Sequence, residues 1–479
     1  MPSSIFSQAE TLKESHFWTS IKSSDCEEFG EIVYYGPLSR ISPSGSLYES
    51  NYYLTSKKII YFQLSDDIIK LSNLSWKVIE PYIEEGNPRK YGFRVSNGIS
   101  CKYFYTKSSE DLDKWLDHLS YAGIMTDIEN DYQFLKQIGN GSFAAVYLAK
   151  DLDTKKFYAI KSISKNIVQN SKNNFEQTIR EIEIMRQLDH PNIAKLHKIY
   201  ESHSHIHLIM DYIPGSTLLQ RIISKGPLSE EKAIKFIEKL LRVLRYLGSK
   251  NIVHRDIKPE NILMADDNDD TNFKLIDFGL ACVVSGKLTA SCGSPGYVAP
   301  EILRKIPYDS KVDVFSAGII LFILLSGRSP FSTGSPKETL TKNRDCFISF
   351  SDKYWGNISR QAINVVIKLT QASPLLRPSA KEALSYDFFK GINKDSATTR
   401  SSLISPPNSA GLVNIWPKSY SPVEKVDLRK NRISTDKNKL PVLGEKHRLS
   451  LRHASTPMLN NVKRVKMILR SDAETPKLR

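Results

Sequence analysis

Within IVHRDIKPENILM (252–264) a carboxylate, an ammonium and an amide fall at Asp256, Lys258 and Asn261. Asp256 can accept a hydroxyl proton, Lys258 can neutralise a phosphate in transfer, and Asn261 can offer its amide oxygen to a metal. Further on, KLIDFGLA sets Asp277 just past an apolar strand-like run. A carboxylate there is well placed for a hard cation such as Mg²⁺. GYVAPE then ends in Glu301, for which Arg377 of LLRPSA is a candidate buried partner.

Upstream, IGNGSFAAVYLAK (138–150) places Gly139 and Gly141 between two strand-like runs. They fit a hairpin whose backbone can approach phosphate oxygens, although a tight hairpin needs glycines in any case. In FYAIKSI, Lys161 lies among apolar neighbours. A lysine in a buried strand is costly unless it is paired, and the alternative is a side chain that snorkels to the surface. Glu181 of REIEIMRQLDHPNI is an available partner, on a helical pattern with Ile182, Ile184, Met185 and Leu188.

In this order and spacing, the glycine loop, AIK, the helical Glu, HRDIKPEN, DFG and APE are similar to those of eukaryotic protein kinases. The resemblance covers Tyr132 to Lys390. It implies a bilobal fold that transfers the γ-phosphate of ATP to protein hydroxyls. Under it, Ile138, Gly139, Gly141 and Val146 cover the nucleotide, and Ala159 and Leu263 sandwich the adenine. Met210 is the gatekeeper, with Asp211 and Tyr212 as the hinge. Lys161 holds the α- and β-phosphates and pairs with Glu181. Asp256 is the catalytic base, Lys258 approaches the γ-phosphate, and Asn261 and Asp277 bind Mg²⁺. KPEN followed by GSPGYVAPE is the serine/threonine pattern. HPNI, DYIPGSTL, CGSPGYVAPE and SGRSPF most resemble the calmodulin-dependent-kinase group. The rival readings are a pseudokinase scaffold and a lipid-binding adaptor; intact Lys161, Asp256, Asn261 and Asp277 argue against the former.

Four positions depart from the family pattern. Ala144 stands for the third loop glycine, and Phe315 for the usual Trp in DVFSAG. Thr217 replaces an acidic residue that contacts ribose and helps to read basic substrates, although Glu260 remains. Ala290 occupies the usual phosphothreonine position, flanked by Thr289 and Ser291; either one of these hydroxyls takes the phosphate, with Arg255 as its partner, or the loop needs none, and the former is the expectation.

The elements that must position these groups fall into regions. Residues 1–27 are polar, with a weak helical cluster at Leu12, Phe17 and Ile21. EIVYY, NYYLT, KIIYF, IIKLS, WKVIE, YGFRV and CKYFYT then read as seven short strands. Ser108 and Asp111 can cap a following helix on which Leu112, Trp115, Leu116 and Leu119 share one face. Residues 28–124 therefore resemble a pleckstrin-homology domain, a seven-stranded barrel closed by a C-terminal helix. Residues 132–390 alternate strands and longer helices, so the fold class is multidomain α+β. Residues 391–479, rich in Ser, Pro, Asn, Lys and Arg, carry only Trp416 and Tyr420 as aromatics and are expected to be a disordered basic tail.

The formal charge of +15 is unevenly spread. Counting Lys and Arg against Asp and Glu, residues 1–130 are net −5, residues 131–390 net +9 and residues 391–479 net +11. This distribution argues against a nucleic-acid-coating protein. The acidic front, where Arg40 stands beside Glu49, favours weak phosphoinositide contact or protein docking over tight lipid binding. NVKRVKMILR (461–470) could meet calmodulin or fold back on the same chain. The five cysteines are scattered, without a CxxC pair, and no signal-like or spanning apolar run is present. A cytoplasmic location, transiently at a membrane, is expected.

Overall fold

The computed structural model describes residues 4–6, 16–24, 29–41, 46–141, 144–266, 268–333 and 335–390. The tail from 391 onward, with its basic segment at 461–470, lies outside the described residues.

The front region is strand-rich, as its Val, Ile, Tyr and Phe runs dictate. It comprises β1 (Thr19–Lys22), β2 (Ile32–Ile41), β3 (Leu47–Thr55), β4 (Ile59–Ser65), β5 (Ile68–Asn73), β6 (Val78–Glu84), β7 (Lys90–Ser96) and β8 (Cys101–Thr106). The seven expected runs correspond to β2–β8. The additional strand β1 comes from the segment read as weakly helical: Ile21 opposes Ile69 of β5, and Phe17 is buried. Leu12 is not among the described residues. Tertiary pairing overrides the local period here, because the Phe17 ring has an aromatic core to enter. The strand order is β1-β5-β4-β3-β2-β8-β7-β6, and no sheet closes on itself among the described residues. The expected barrel is not closed by the strand pairing, since β2 and β8 are paired only at Ser39 and Tyr105.

Helix α1 (Ser109–Ala122) begins where expected: the Ser108 hydroxyl accepts from the Asp111 amide. It buries Leu112, Trp115 and Leu119. After it, β9 (Ile124–Met125) pairs in parallel with β6 on one side and, at Met125, with Tyr200 on the other. Through β9 the front strands continue into β13 (Leu196–Glu201), β14 (His205–Asp211), β12 (Phe157–Ser164), β11 (Ala144–Asp151) and β10 (Tyr132–Asn140), giving one 14-stranded sheet. Trp115, Leu119 and Phe93 belong to the same buried cluster as Tyr132, Ile160 and Tyr200. The two regions therefore share a core.

Two helices follow β12, the short α2 (Lys165–Gln169) and α3 (Lys172–Arg186). The second lobe is helical. It includes α4 (Leu218–Lys225), α5 (Glu230–Ser249), α6 (Pro300–Leu303) and α7 (Lys311–Ser326), together with the small hairpin of β16 (Ile262–Met264) and β17 (Phe273–Leu275). Helix α7 is buried on every face from Val312 to Leu325, as an all-round apolar helix must be. No helix among the described residues is long and apolar enough to cross a membrane. Gly318 lets α7 approach the helix Arg360–Leu369, since a Cβ there would lie 2.8 Å from the Leu369 Cβ.

Candidate active site

Between the lobes lies a cleft of about 810 Å³. Strand register explains its upper wall. Val146 opposes Lys161, and Ala159 opposes Met210, so these side chains share one sheet face. The β10–β11 hairpin closes where the Gly141 amide donates to the Ala144 carbonyl at 2.8 Å. Ile138, Gly139 and Gly141 border the cleft from that hairpin. Leu263, on β16, faces it from below, and Met210, Asp211 and Tyr212 form its back edge. The Asp211 carboxylate accepts from His197, from Lys274 and from the Lys195 amide. Its hydrogen bonds therefore fasten the strand end behind the cleft.

Lys161 is paired, not snorkelling: its Nζ donates to Glu181 Oε1 at 2.5 Å and lies 3.8 Å from Asp277 Oδ1. Burial would pull this ammonium down, but Glu181 and then Asp277 hold it above its ordinary value. Glu181 is buried on α3, on the helical face read from the sequence.

Below, the loop around Asp256 is shaped by a residue that sequence reasoning missed. Asp313 of α7 is fully buried and accepts from the His254 amide at 2.7 Å and the Arg255 amide at 2.8 Å. Burial nevertheless pushes its carboxyl above the usual range. Arg255 and Asp277 both adopt left-handed backbone angles, at φ +67° and +62°. Such non-glycine conformations cost free energy and persist only where surroundings impose them.

Asp256 makes the densest set of contacts. Ser294, also missed, donates to Oδ1 at 2.6 Å, and Asn261 Nδ2 donates to Oδ2 at 3.0 Å. Lys258 Nζ sits 2.8 Å from Oδ2 and donates to the Ser294 hydroxyl at 2.8 Å. Burial works to raise the Asp256 carboxyl, but hydrogen bonds from Lys258 and Ser294 outweigh it and hold it below the usual carboxylate range. The signal for Ser294 was its place in CGSPGYVAPE; nothing local to that run pointed to Asp256. Of the expected site residues, only Lys258 is absent from the cleft lining, although its Nζ lies beside Asp256.

The donor set suits Mg²⁺ bound with phosphates. Asn261 directs its amide N–H groups to Asp256, which leaves its carbonyl oxygen as the ligand atom. Asp277 is a half-exposed carboxylate at the cleft. No group of three or more His, Cys, Asp or Glu forms a cage among the described residues, so a bound Mg²⁺ would need oxygens from phosphate and water to complete its shell.

Around the segment after Asp277, Arg255 Nε donates to the Leu280 carbonyl at 2.7 Å, and Nη1 to the Tyr308 hydroxyl at 3.4 Å. Tyr308 in turn donates to the Ala290 carbonyl at 2.6 Å. Thr289 and Ser291 are exposed on either side. The proposed Glu301–Arg377 partnership is present and bidentate, at 2.6 and 2.9 Å, with both residues at 1% exposure.

The model of the protein kinase domain matches residues 132–389. The chain is 34% identical over 274 residues to myosin light chain kinase A of Dictyostelium discoideum, covering 57% of this chain and 92% of that protein. It is 35% identical over 266 residues to calcium/calmodulin-dependent protein kinase type 1B of Rattus norvegicus, covering 55% and 77%. A probable serine/threonine-protein kinase 2 of Plasmodium falciparum is 35% identical over 288 residues, covering 60% of this chain and 56% of the relative.

Proposed function

The chain belongs to the protein kinase family, and from that premise we propose that Lys161, Glu181, Asp256, Lys258, Asn261 and Asp277 make it catalytically competent in the roles their chemistry suggests. The enzyme is a protein serine/threonine kinase that uses ATP on protein substrates. The observation that carries the reading is the convergence of the Lys161–Glu181 pair, Asp277, Asp256 and Asn261 on one cleft.

Phosphoryl transfer needs positioning and charge neutralisation more than covalent help from the protein. Lys161, fixed by Glu181, presents its ammonium to the α- and β-phosphates. The substrate hydroxyl attacks the γ-phosphorus while the bond to the β–γ bridging oxygen breaks, leaving ADP. Asp256, ionised at neutral pH, takes the hydroxyl proton. Lys258, beside it, offsets charge on the transferred group. Asn261 and Asp277 would hold Mg²⁺, which when bound would supply Lewis-acid neutralisation of the phosphate oxygens.

The calmodulin-dependent group remains the favoured subgroup, in line with one of the relatives described above. For the front region we favour a pleckstrin-homology-like fold used for docking within the chain or to proteins. Arg40, the lone cation expected near a lipid site, stacks over Phe62, Tyr48, Trp18 and Tyr52 at 4.5–5.6 Å. A guanidinium enclosed by rings is poorly disposed to grip a headgroup. Comparison of the intact chain with Asp256→Ala, by phosphate transfer from ATP to a generic basic protein, tests the central reading. Transfer in the former alone supports it; equal background in both would leave the scaffold reading.

A further inference from the structure

Residues 4–6 are far in sequence from Glu201 and Trp76, which they touch. The Ser4 hydroxyl donates to Glu201 Oε2 at 2.5 Å, and the Ile5 amide donates to Glu201 Oε1 at 2.9 Å. The Phe6 amide returns to the Ser4 hydroxyl at 3.1 Å, fixing a tight turn. Ile5 and Phe6 are 1% and 0% exposed. The Phe6 ring stacks on Trp76 at 5.4 Å. Glu201, at the end of β13, is itself buried and pairs with the equally buried Lys165 of α2 at 2.6 Å. Without residues 4–6 the Glu201 carboxylate would keep its lysine but lose two donors, a costly state for a buried anion.

Trp76 also meets α3. The Arg186 guanidinium lies 4.8 Å from the Trp76 ring centre and donates to the carbonyls of Ser75 and Gly123. Arg186 ends α3, the helix that carries Glu181. Five residues of helix span roughly 7.5 Å, so the orientation of the helix end and that of Glu181 are closely coupled. Phe6, Trp76 and Arg186 form a continuous chain of contacts from the docked tripeptide to the helix holding the Lys161 partner.

We propose that Glu201, Lys165 and Trp76 form a peptide-recognition site for a hydroxyl–aliphatic–aromatic tripeptide, filled in cis by Ser4–Ile5–Phe6, and that its occupancy holds α3 where Glu181 pairs with Lys161. Each position has its determinant. The first residue must donate through a hydroxyl to Glu201, the second gives its amide to the same carboxylate and its aliphatic chain to the core, and the third stacks on Trp76. The inference rests on the reading of Lys161–Glu181 as part of the kinase machinery.

The test removes residues 1–6 from the full chain and supplies a fluorescein-labelled peptide of residues 2–8, PSSIFSQ, in trans. The truncated chain should lose at least about fivefold in kcat/KM for ATP, bind the peptide by anisotropy and regain activity when it is saturated. The intact chain, with its site filled, should bind none, and the peptide with alanine for phenylalanine should neither bind nor rescue. Within the full chain, Ser4→Thr should keep activity and Ser4→Asp, which sets a second carboxylate against Glu201, should lose it. Rescue in trans separates positioning from misfolding. Anisotropy reads the site whether or not phosphate is transferred, so failure of the kinase reading would show as inactivity of the intact chain with peptide binding preserved. An undiminished rate in the truncated chain, or no peptide binding to it, overturns the proposal.

Discussion

Ser294 donates to Asp256 Oδ1 at 2.6 Å while accepting from Lys258 at 2.8 Å. One hydroxyl thus fixes both the proton acceptor and the neighbouring cation. Ser294→Ala should reduce kcat by about 10- to 100-fold, the cost of a hydrogen bond to a charged group, with the KM for ATP little changed. Steady-state kinetics checks the split; equal losses in both parameters would count against a positioning role.

Arg255 is engaged by the Leu280 carbonyl and Tyr308, and Tyr308 reaches on to Ala290. In the unphosphorylated chain, neutral groups hold this segment. Tyr308→Phe should lower activity by about fivefold or more, as a lost buried hydrogen bond of about 1 kcal/mol implies. Thr289→Ala and Ser291→Ala together should change the basal rate of unphosphorylated enzyme by less than about twofold, since neither hydroxyl is part of that clamp. A rate assay on dephosphorylated protein decides.

Arg377 and Glu301 are a fully buried bidentate pair. Arg377→Ala leaves a buried anion and should cost about 3–5 kcal/mol of stability, read as a fall in the denaturant midpoint. Replacing both partners with apolar residues should recover part of that loss, because the orphan charge is then gone.

Burial pushes the Lys58 ammonium down to about 7, with nearby Arg186 adding to the effect. In the unfolded chain a lysine titrates near about 10.4. Between these values the unfolded state binds the extra proton, so stability from this group rises with pH from about 7 to about 10, and the loss is complete once pH has fallen to about 7. The midpoint of urea unfolding should therefore increase from pH 6.5 to pH 8.0. Lys58→Met should flatten that increase; parallel curves for the two proteins would contradict it.

Much of the site was legible because its residues lie in short runs whose local order carries chemistry. Asp256, Lys258 and Asn261 share one loop, and a lysine among apolar neighbours demanded a carboxylate that Glu181 supplies at 2.5 Å. Helix α1 was equally local: Ser108 caps it, and its apolar period matches the face it buries. The front strands were legible by composition, but their closure was not. Whether a sheet closes depends on which strand edges meet, and β9 instead joins the front sheet to β13.

Sequence alone determined residue types, their order and the local elements, and with them the family and its cleft chemistry. Tertiary structure decided which distant polar groups meet: Ser294 with Asp256, Asp313 with two amides of the Asp256 loop, Tyr308 with Arg255, and Ser4 with Glu201. The reason is physical. Helix and strand periods act over a few residues, whereas burying a charge or hydroxyl requires a partner at hydrogen-bond distance from anywhere in the chain, and only the packed backbone selects which one arrives.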